Sequence, residues 1–297
     1  YTNKKNILRH IRCNVEVNMC EYYNDMWHVT LTENNETKTV DCEVLVDATG
    51  KFVEPLYPEF RGITEYKGTI LHTADVKKNT SWEDKRVAVI GTGASAIQIV
   101  PCIAKSAKQL VIYQRSSPYV LPKVDIYYSK LNIFIKTIFP IIRIFEYYKG
   151  IWSSDRFVTK ILNRKYHKGI QQMVKGHIHE SSPDLVEKHT PDYSIGCNRI
   201  LVSNDWFPTL IKDNVEVVTE SISTFTEKGI DDIEFDEIIF ATGYKKRSQL
   251  NLNIFCKEIE LNDHLKQYPL AFNGISVSKF PNFFLIQGPP NSVPAGS

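Results

Sequence analysis

The sequence predicts an α/β protein in which two dinucleotide-binding modules are linked in one chain. An apolar strand, a glycine turn, an apolar helix and a second strand follow one another over residues 85–113. Two further apolar strands end in the same tripeptide, Ala-Thr-Gly, at residues 48–50 and 241–243. The length of 297 residues allows two domains, because domains typically contain about 100–200 residues.

The composition is that of an ordinary globular protein. Apolar residues make up 42% and charged residues 24%, so a core can form and wholesale disorder is excluded. The net charge of +2 predicts no nucleic-acid partner, since such proteins carry a strongly basic face. The six cysteines lie far apart without a CxxC pair, so we expect no metal site, no disulfide scaffold and a cytoplasmic location.

The N-terminal part of the chain predicts a β-hairpin followed by a buried strand. Residues 26–31 and 38–40 are rich in β-branched and aromatic residues, with a turn over 33–36 between them. Residues 43–50 form a short apolar run that stops at glycine, which is typical of a buried strand before a tight loop. Prolines and glycines predict that residues 51–84 are mostly loop.

The next segment predicts one βαβ unit. The apolar strand 85–90 runs directly into Gly91-Thr-Gly-Ala-Ser-Ala96, and apolar residues then recur at helical spacing from 97 to 107. Pro101 lies inside this pattern and predicts a kink or a late helix start. Residues 109–113 predict the second strand.

Residues 118–195 predict a mostly helical insertion, because β signals are few and aromatic and basic residues alternate. The most apolar window, 131–145, contains charges and a proline and falls short of the roughly 20 apolar residues of a transmembrane helix. A buried helical layer is the simplest interpretation, and a helix lying on a membrane surface is the alternative. The β pattern returns at 215–218, 221–225 and 235–244, and the segment 280–286 predicts one more strand.

The glycine turn predicts a binding site for a dinucleotide pyrophosphate. In Gly91-x-Gly93-x-x-Ala96 the first glycine makes the tight turn, the second lets the backbone approach the phosphates, and the small third residue lets helix and strand pack closely. Free N–H groups at the positive helix end then bind the phosphates. The alternative is a plain glycine-rich turn, but the flanking strand and helix favour nucleotide binding.

The end of the second strand predicts NADP as the dinucleotide. An acidic residue about 20 positions after the turn would bind the ribose hydroxyl of NAD, whereas an arginine suits a 2′-phosphate. Arg115 stands at this place and no acidic residue is near. A planar guanidinium can bind a phosphate through two parallel hydrogen bonds, so we predict this role for Arg115.

Together these motifs resemble the class B flavoprotein monooxygenases, and within them the Baeyer–Villiger-type enzymes. The fingerprint FxGxxxHxxxW of that group stands here as Tyr66-x-Gly68-x-x-x-His72-x-x-x-Val76, with glycine and histidine kept and the end residues changed. Residues 86–101 resemble the NADPH-binding turn of the family, Gln114-Arg115 its phosphate corner, Gly196-Cys-Asn-Arg199 its GCKR segment, and 236–244 its second Ala-Thr-Gly strand. Residues 274–289 resemble the return of the chain to the flavin domain.

The resemblance implies an FAD- and NADPH-dependent monooxygenase. A C4a-peroxyflavin would insert one oxygen of O2 into a ketone or add it to nitrogen or sulfur of a small apolar organic substrate. By this resemblance Arg199 aligns with the catalytic arginine of the family, and Asn198 stands where the family has a lysine that helps to bind NADPH. His72 would be a hinge residue that positions the coenzyme. The implied cofactor contacts are Gly91, Thr92, Gly93, Ala94, Ser95, Ala96, Gln98, Arg115, Ser116, Asn198, Thr49, Gly50, His72, Thr242 and Gly243.

The resemblance also implies a domain order. Residues 1–75 would belong to an incomplete FAD domain, 76–235 to a Rossmann-like NADP domain with the helical insertion, and 236–297 to the return into the FAD domain. The sequence contains one GxGxx[GA] turn where the family has two, so we expect a fragment that lacks the FAD-binding motif. Two alternatives stay open: a non-catalytic NADP-binding remnant, and another two-dinucleotide flavoprotein such as a reductase.

Overall fold

The computed structural model describes residues 7–50, 52–123, 137, 140–245 and 252–286. They form two compact units, one with the described residues up to 54 and from 244 onward, and one with residues 55–243. The strands are β1 (Val15–Tyr23), β2 (Met26–Glu33), β3 (Glu36–Cys42), β4 (Leu45–Asp47), β5 (Thr69–His72), β6 (Arg86–Ile90), β7 (Gln109–Tyr113), β8 (Val120–Leu121), β9 (Leu201–Val202), β10 (Val215–Val218), β11 (Gly229–Ile230), β12 (Ile233–Glu234), β13 (Glu237–Phe240), β14 (Asn253–Cys256), β15 (Ile259–Glu260) and β16 (Phe283–Leu285). The α-helices are α1 (Ala96–Ile103), α2 (Pro140–Leu162), α3 (His167–Ser181), α4 (Leu185–His189), α5 (Trp206–Leu210) and α6 (Leu261–Gln267).

The first unit contains a five-stranded sheet in the order β15-β14-β1-β2-β3. The predicted hairpin is confirmed as β2 and β3, joined at Asn34 and Asn35, whose positive φ values suit a tight hairpin turn. Trp27 anchors the core of this unit, because it is fully buried and its indole N–H donates to the Pro281 carbonyl at 3.0 Å.

The sequence predicts a buried strand before the first Ala-Thr-Gly. This prediction is wrong for most of that strand. Within the described residues β4 pairs in parallel with β16, and Val46 at its centre is 49% exposed. Asp47, at the end of β4, is the buried member of the strand.

The second unit is built on an all-parallel sheet in the order β10-β7-β6-β13-β5. Its central strands β6 and β7 are buried on both faces, which explains their continuous apolar sequences. On one face α1 packs through Ile97, Val100 and Ile103, in a cluster that also contains Trp206 and Phe207 of α5. The predicted βαβ unit is therefore confirmed.

Two local predictions in this unit need correction. Helix α1 begins at Ala96 and continues through Pro101, so there is no late start. Residues 221–224 are irregular, and Phe225 forms one isolated bridge with Ile230 in place of a strand. The described residues of the segment 51–84 are mostly loop, as predicted, and they also contain β5, which completes the sheet beside β13.

The helical insertion is confirmed for the described residues, which form α2, α3 and α4. Most of the apolar window 131–145 lies outside the described residues. Helix α3 buries Ile170, Val174 and Ile178 against the second unit's core. The expectation of a buried layer is wrong for α2, in which Ile161 is the one buried side chain among those described. Within the described ranges, no helix has both the length and the apolarity required to cross a bilayer.

Candidate functional site

The candidate site lies along the carboxyl edge of the parallel sheet. Because β5, β6, β7 and β13 all run in the same direction, the segments that follow them leave the sheet at one edge. This edge of an open α/β sheet is where such folds bind ligands. It brings together His72, the turn 91–96, Arg115 with Ser116, and Thr242 with Gly243.

Gly91 and Gly93 have different surroundings in the turn. Gly91 has φ +107° and donates its N–H to the Tyr113 carbonyl at 3.0 Å. A Cβ on Gly91 would lie 2.8 Å from the Ala241 carbonyl oxygen, so this glycine is needed for packing. Beyond its chain neighbours, a Cβ on Gly93 would meet no atom of the described residues within 4 Å, which leaves open space for a ligand at that point of the turn.

The turn presents a row of backbone donors. Within the described part of the chain, the N–H groups of Thr92, Gly93, Ala94, Ser95 and Ala96 donate to no protein acceptor. The first N–H that does so within helix α1 is that of Ile97, which donates to the Gly93 carbonyl at 3.1 Å. Free amide donors and the helix dipole together favour an anion at this place.

The residues after β7 are attached to the turn by a side-chain hydrogen bond. The Thr92 hydroxyl donates to the Ser116 carbonyl at 3.0 Å. Arg115, the residue before Ser116, is exposed and forms no ion pair with any described residue. Gln114 is 4% exposed, and its Oε1 has no hydrogen-bond partner among the described residues. Residues 114–115 thus offer a cation and a buried acceptor that have no partner among the described residues, in the segment attached to the row of N–H groups.

Side-chain hydrogen bonds hold the start of α1 and the segment that follows Arg115. Gln98 donates from Nε2 to the Ala94 carbonyl at 2.7 Å, within the first turn of α1. Ser117 is buried and its hydroxyl donates to the His189 carbonyl at 2.7 Å, which joins the corner to the C-terminal end of α4. Burial lowers the pKa of His189, and the nearby Lys188 adds to this effect.

His72 stands at the end of β5, opposite Phe240 of β13. Its side chain is fully buried, its Nδ1 accepts the N–H of Ala74 at 3.1 Å, and its ring lies 5.5 Å from the Tyr57 ring. The Tyr57 hydroxyl donates in turn to Asp75 at 3.0 Å. Burial is the main cause of the raised pKa of the Tyr57 phenol, and the hydrogen bond to Asp75 raises this pKa further. His72 is therefore held rigidly by its own strand end.

The second Ala-Thr-Gly segment is tied to residues 55–57. The Thr242 hydroxyl donates to the Leu56 carbonyl, and the Leu56 N–H donates to the Gly243 carbonyl at 3.0 Å. Gly243 has φ +81°, which allows this sharp departure from β13.

The first Ala-Thr-Gly segment belongs to the other unit. Asp47 accepts two hydrogen bonds from Thr49, from its N–H at 2.9 Å and from its hydroxyl at 2.6 Å. Thr49 and Gly50 are exposed, and Gly50 has φ +77° with nothing within 4 Å of its potential Cβ. Sequence analysis missed Asp47; the signal was a carboxylate that ends an apolar strand two residues before a threonine.

Arg199 and Asn198 lie in a turn that begins with Gly196, whose φ is +95°. Arg199 is half-buried and forms no ion pair with the described residues. A salt bridge within this part of the chain therefore does not explain why an arginine stands at this position. The turn leads into β9, which pairs in parallel with β8 shortly after the Arg115 corner. Asn198 hydrogen-bonds Tyr193, a contact that opposes the rise in the pKa of Tyr193 caused by burial.

Comparison with known proteins relates the chain to flavin-dependent oxygenases. The model of the family described as flavin-binding monooxygenase-like matches residues 1–255. A Baeyer–Villiger monooxygenase of Pseudomonas aeruginosa is 33% identical over 279 residues, which cover 89% of this chain and 51% of that protein. The FAD-binding monooxygenase ktnD of Aspergillus niger is 32% identical over 270 residues, covering 87% and 44%.

A crystal structure of OTEMO in complex with FAD and NADP has the same fold. It matches with a TM-score of 0.78 and 27% identity, over 97% of this chain and 64% of that one. The chain spans about half the length of the curated relatives that it matches. Its two-unit α/β architecture is therefore that of a two-dinucleotide-binding flavoprotein.

Proposed function

The chain belongs to the flavin-binding monooxygenase-like family, and from this membership we propose that it forms part of an FAD- and NADPH-dependent monooxygenase of the Baeyer–Villiger or heteroatom-oxidising type. The proposed substrate is a small apolar organic molecule, which receives one oxygen atom of O2. The relatives' names and the cofactors in the OTEMO structure support this proposal.

One observation carries the coenzyme part of the proposal. Among the residues that the structure describes, the turn after β6 offers five consecutive backbone N–H groups without a protein acceptor, and the nearby exposed Arg115 forms no ion pair. A pyrophosphate accepts hydrogen bonds from such amides, and a 2′-phosphate accepts them from a guanidinium. The open space at Gly93 admits the pyrophosphate, so the residues present fit NADP.

Other residues of the chain have supporting roles in this proposal. The buried Gln114 Oε1 would accept a hydrogen bond from a coenzyme hydroxyl or amine, and the rigid His72 would position the coenzyme along the sheet edge. Thr49 and Gly50 in one unit and Thr242 and Gly243 in the other would contribute backbone and hydroxyl contacts to FAD and NADP. When bound, FAD supplies the redox chemistry: uptake of a hydride from NADPH and activation of O2.

Arg199 is the proposed catalytic residue. A fixed guanidinium stabilises negative charge where it develops on oxygen during transfer to the substrate. Its lack of an ion pair with the described residues supports this role, because a guanidinium already paired with a carboxylate would have less positive charge to offer.

The direct test is the affinity of the chain for NADP+ and NAD+, measured by isothermal titration calorimetry. Arg115→Ala should weaken NADP+ binding about 10- to 150-fold, since a hydrogen bond to a charged group contributes about 1.5–3 kcal/mol, and should leave NAD+ binding nearly unchanged. Arg143→Ala, which removes another exposed arginine far along the chain, is the matched control. Equal losses for both coenzymes in Arg115→Ala would refute the assignment of Arg115 to the 2′-phosphate.

A further inference from the structure

Helix α2 leaves a broad apolar face exposed. Ile141 is 72% exposed, Phe145 69%, Tyr148 64% and Trp152 61%. These positions are spaced by four, three and four residues, so they lie on one side of the helix. Ile144, Tyr147 and Ile151 widen the same side and are also exposed. At 100° per residue, the exposed apolar arc spans about 160° over the first three turns.

The charges of α2 are predominantly basic. Arg143, Lys149, Arg156 and Lys160 stand against Glu146 and Asp155, so the helix has a net charge of 4 − 2 = +2. Lys149, Arg156 and Lys160 lie together along one border of the apolar arc. Three further bases follow directly after the helix, at Arg164, Lys165 and Lys168.

The aromatic side chains at the border have the geometry of interfacial residues. Arg156 stacks over the Trp152 ring at 4.5 Å from its centroid, which holds a cation at the edge of the apolar face. Tryptophan and tyrosine are enriched where a bilayer meets water, because their rings are apolar and their tips are polar.

From this combination we propose that α2 is a docking helix for the surface of an anionic lipid bilayer. A helix that lies in the membrane interface combines a broad apolar face rich in Trp, Phe and aliphatic residues with lysine and arginine at its border. A second copy of the chain fits less well. Paired helices bury a narrow seam of two positions per heptad, whereas this arc is far wider.

The test uses the chain itself with large unilamellar vesicles. One set contains phosphatidylcholine alone and the other contains roughly 30% phosphatidylserine, which reproduces the negative potential of a cytoplasmic leaflet. Trp152 is a suitable reporter, since Trp27 and Trp206 are fully buried and Trp82 is half-buried. Binding to anionic vesicles should shift the emission of Trp152 to shorter wavelength and protect it from acrylamide, while Trp152→Phe should bind without this signal.

Two pairs of variants separate the apolar and the charge contributions. Phe145→Glu should abolish sedimentation with anionic vesicles, whereas Phe272→Glu, at a residue that is 78% exposed in the other unit, should sediment as the wild type does. Lys149→Glu should weaken binding about 25-fold, because each base near an anionic surface contributes about fivefold and the reversal changes two charges. Lys105→Glu, at an exposed lysine after α1, should have no such effect.

Four outcomes would overturn the proposal. The first is the absence of binding to either vesicle, and the second is equal binding to both, which would remove the role of charge. The third is a concentration-dependent shift of Trp152 emission without lipid, abolished by Phe145→Glu, which would identify a second copy as the occupant. The fourth is protection of Trp152 from acrylamide at every dilution without lipid, which would show that the chain itself covers this face.

Discussion

The turn after β6 allows two neighbouring glycines to be tested against each other. Gly91→Ala and Gly93→Ala each add one methyl group to the same motif, two residues apart. The surroundings predict opposite consequences. A methyl on Gly91 meets the backbone carbonyl of Ala241 at 2.8 Å, whereas a methyl on Gly93 meets no atom within 4 Å in the part of the chain that the structure describes, its chain neighbours aside.

Gly91→Ala should destabilise the second unit strongly. The φ of +107° costs a side-chain-bearing residue about 1–2 kcal/mol, and overpacking against a rigid backbone group costs about 1–3 kcal/mol. The sum of about 2–5 kcal/mol corresponds to a fall in Tm of about 5–15 °C for a unit of this size. The Ala241 carbonyl cannot rotate away as a flexible side chain would, because it follows strand β13 directly.

Gly93→Ala should leave the stability within about 0.5 kcal/mol of the wild type, because its φ is outside the left-handed region and its space is open. The same methyl would occupy the volume proposed for the pyrophosphate. Loss of charge-assisted hydrogen bonds of about 1.5–3 kcal/mol should weaken NADP+ binding about 10- to 150-fold.

Thermal unfolding and NADP+ titration calorimetry on the two variants provide the assay. The expected pattern is a low Tm for Gly91→Ala, and a normal Tm with weak binding for Gly93→Ala. Wild-type affinity in Gly93→Ala would refute the placement of the pyrophosphate at this turn. A wild-type Tm in Gly91→Ala would refute the argument from the Ala241 carbonyl.

Three further predictions concern the surrounding residues. Thr92→Val should weaken NADP+ binding about 2- to 12-fold by calorimetry, because it removes the 3.0 Å hydrogen bond to Ser116, worth about 0.5–1.5 kcal/mol; Thr92→Ser should restore it, and an equal loss in both variants would contradict this role. In the full-length enzyme, Arg199→Ala should keep NADPH-dependent flavin bleaching in stopped flow but lose product formation, and a normal product yield would exclude Arg199 as the catalytic group. Burial lowers the pKa of His189 below its usual 6.5, so below that pH the unfolded chain takes up a proton that the folded chain resists, and stability falls as the pH falls. When the free energy of unfolding is measured with urea from pH 7.5 to 5.5, its dependence on pH should be shallower in His189→Gln than in the wild type, by at most about 1.4 kcal/mol per pH unit. The control His10→Gln, at an exposed histidine, should keep the wild-type dependence.

The sequence was most informative where local pattern and tertiary structure agree. Strands β6 and β7 are apolar throughout because both of their faces are buried, and the glycine turn between β6 and α1 is set by local backbone requirements. Strand β5 could not be predicted in this way. It has four residues within a segment rich in proline and glycine, and only its pairing with β13 makes it a strand.

Strand β1 escaped prediction for a different physical reason. Its register against β2 shifts between Val17 and Met19, so the alternation of apolar and polar residues is interrupted within the strand. For α2 the secondary structure could be predicted, but the exposure of its apolar face could not. Its helical pattern is evident, but the pattern alone does not tell whether an apolar face is covered by the core or exposed, and here it is exposed.

The candidate site also depends on contacts between segments distant in sequence. Gly91 and Ala241 are 150 positions apart, yet the absence of a side chain at Gly91 is what admits the Ala241 carbonyl. The carbonyl of Ala241, the first residue of the second Ala-Thr-Gly segment, thus packs against the glycine turn. Thr242 and Gly243 hold residues 55–57 through hydrogen bonds. The two motifs therefore pack directly against each other, and the end of β13 sets the backbone path of the turn that presents the N–H groups. A larger residue at position 91 would force these two strand ends apart, and the row of amide donors would be displaced together with them.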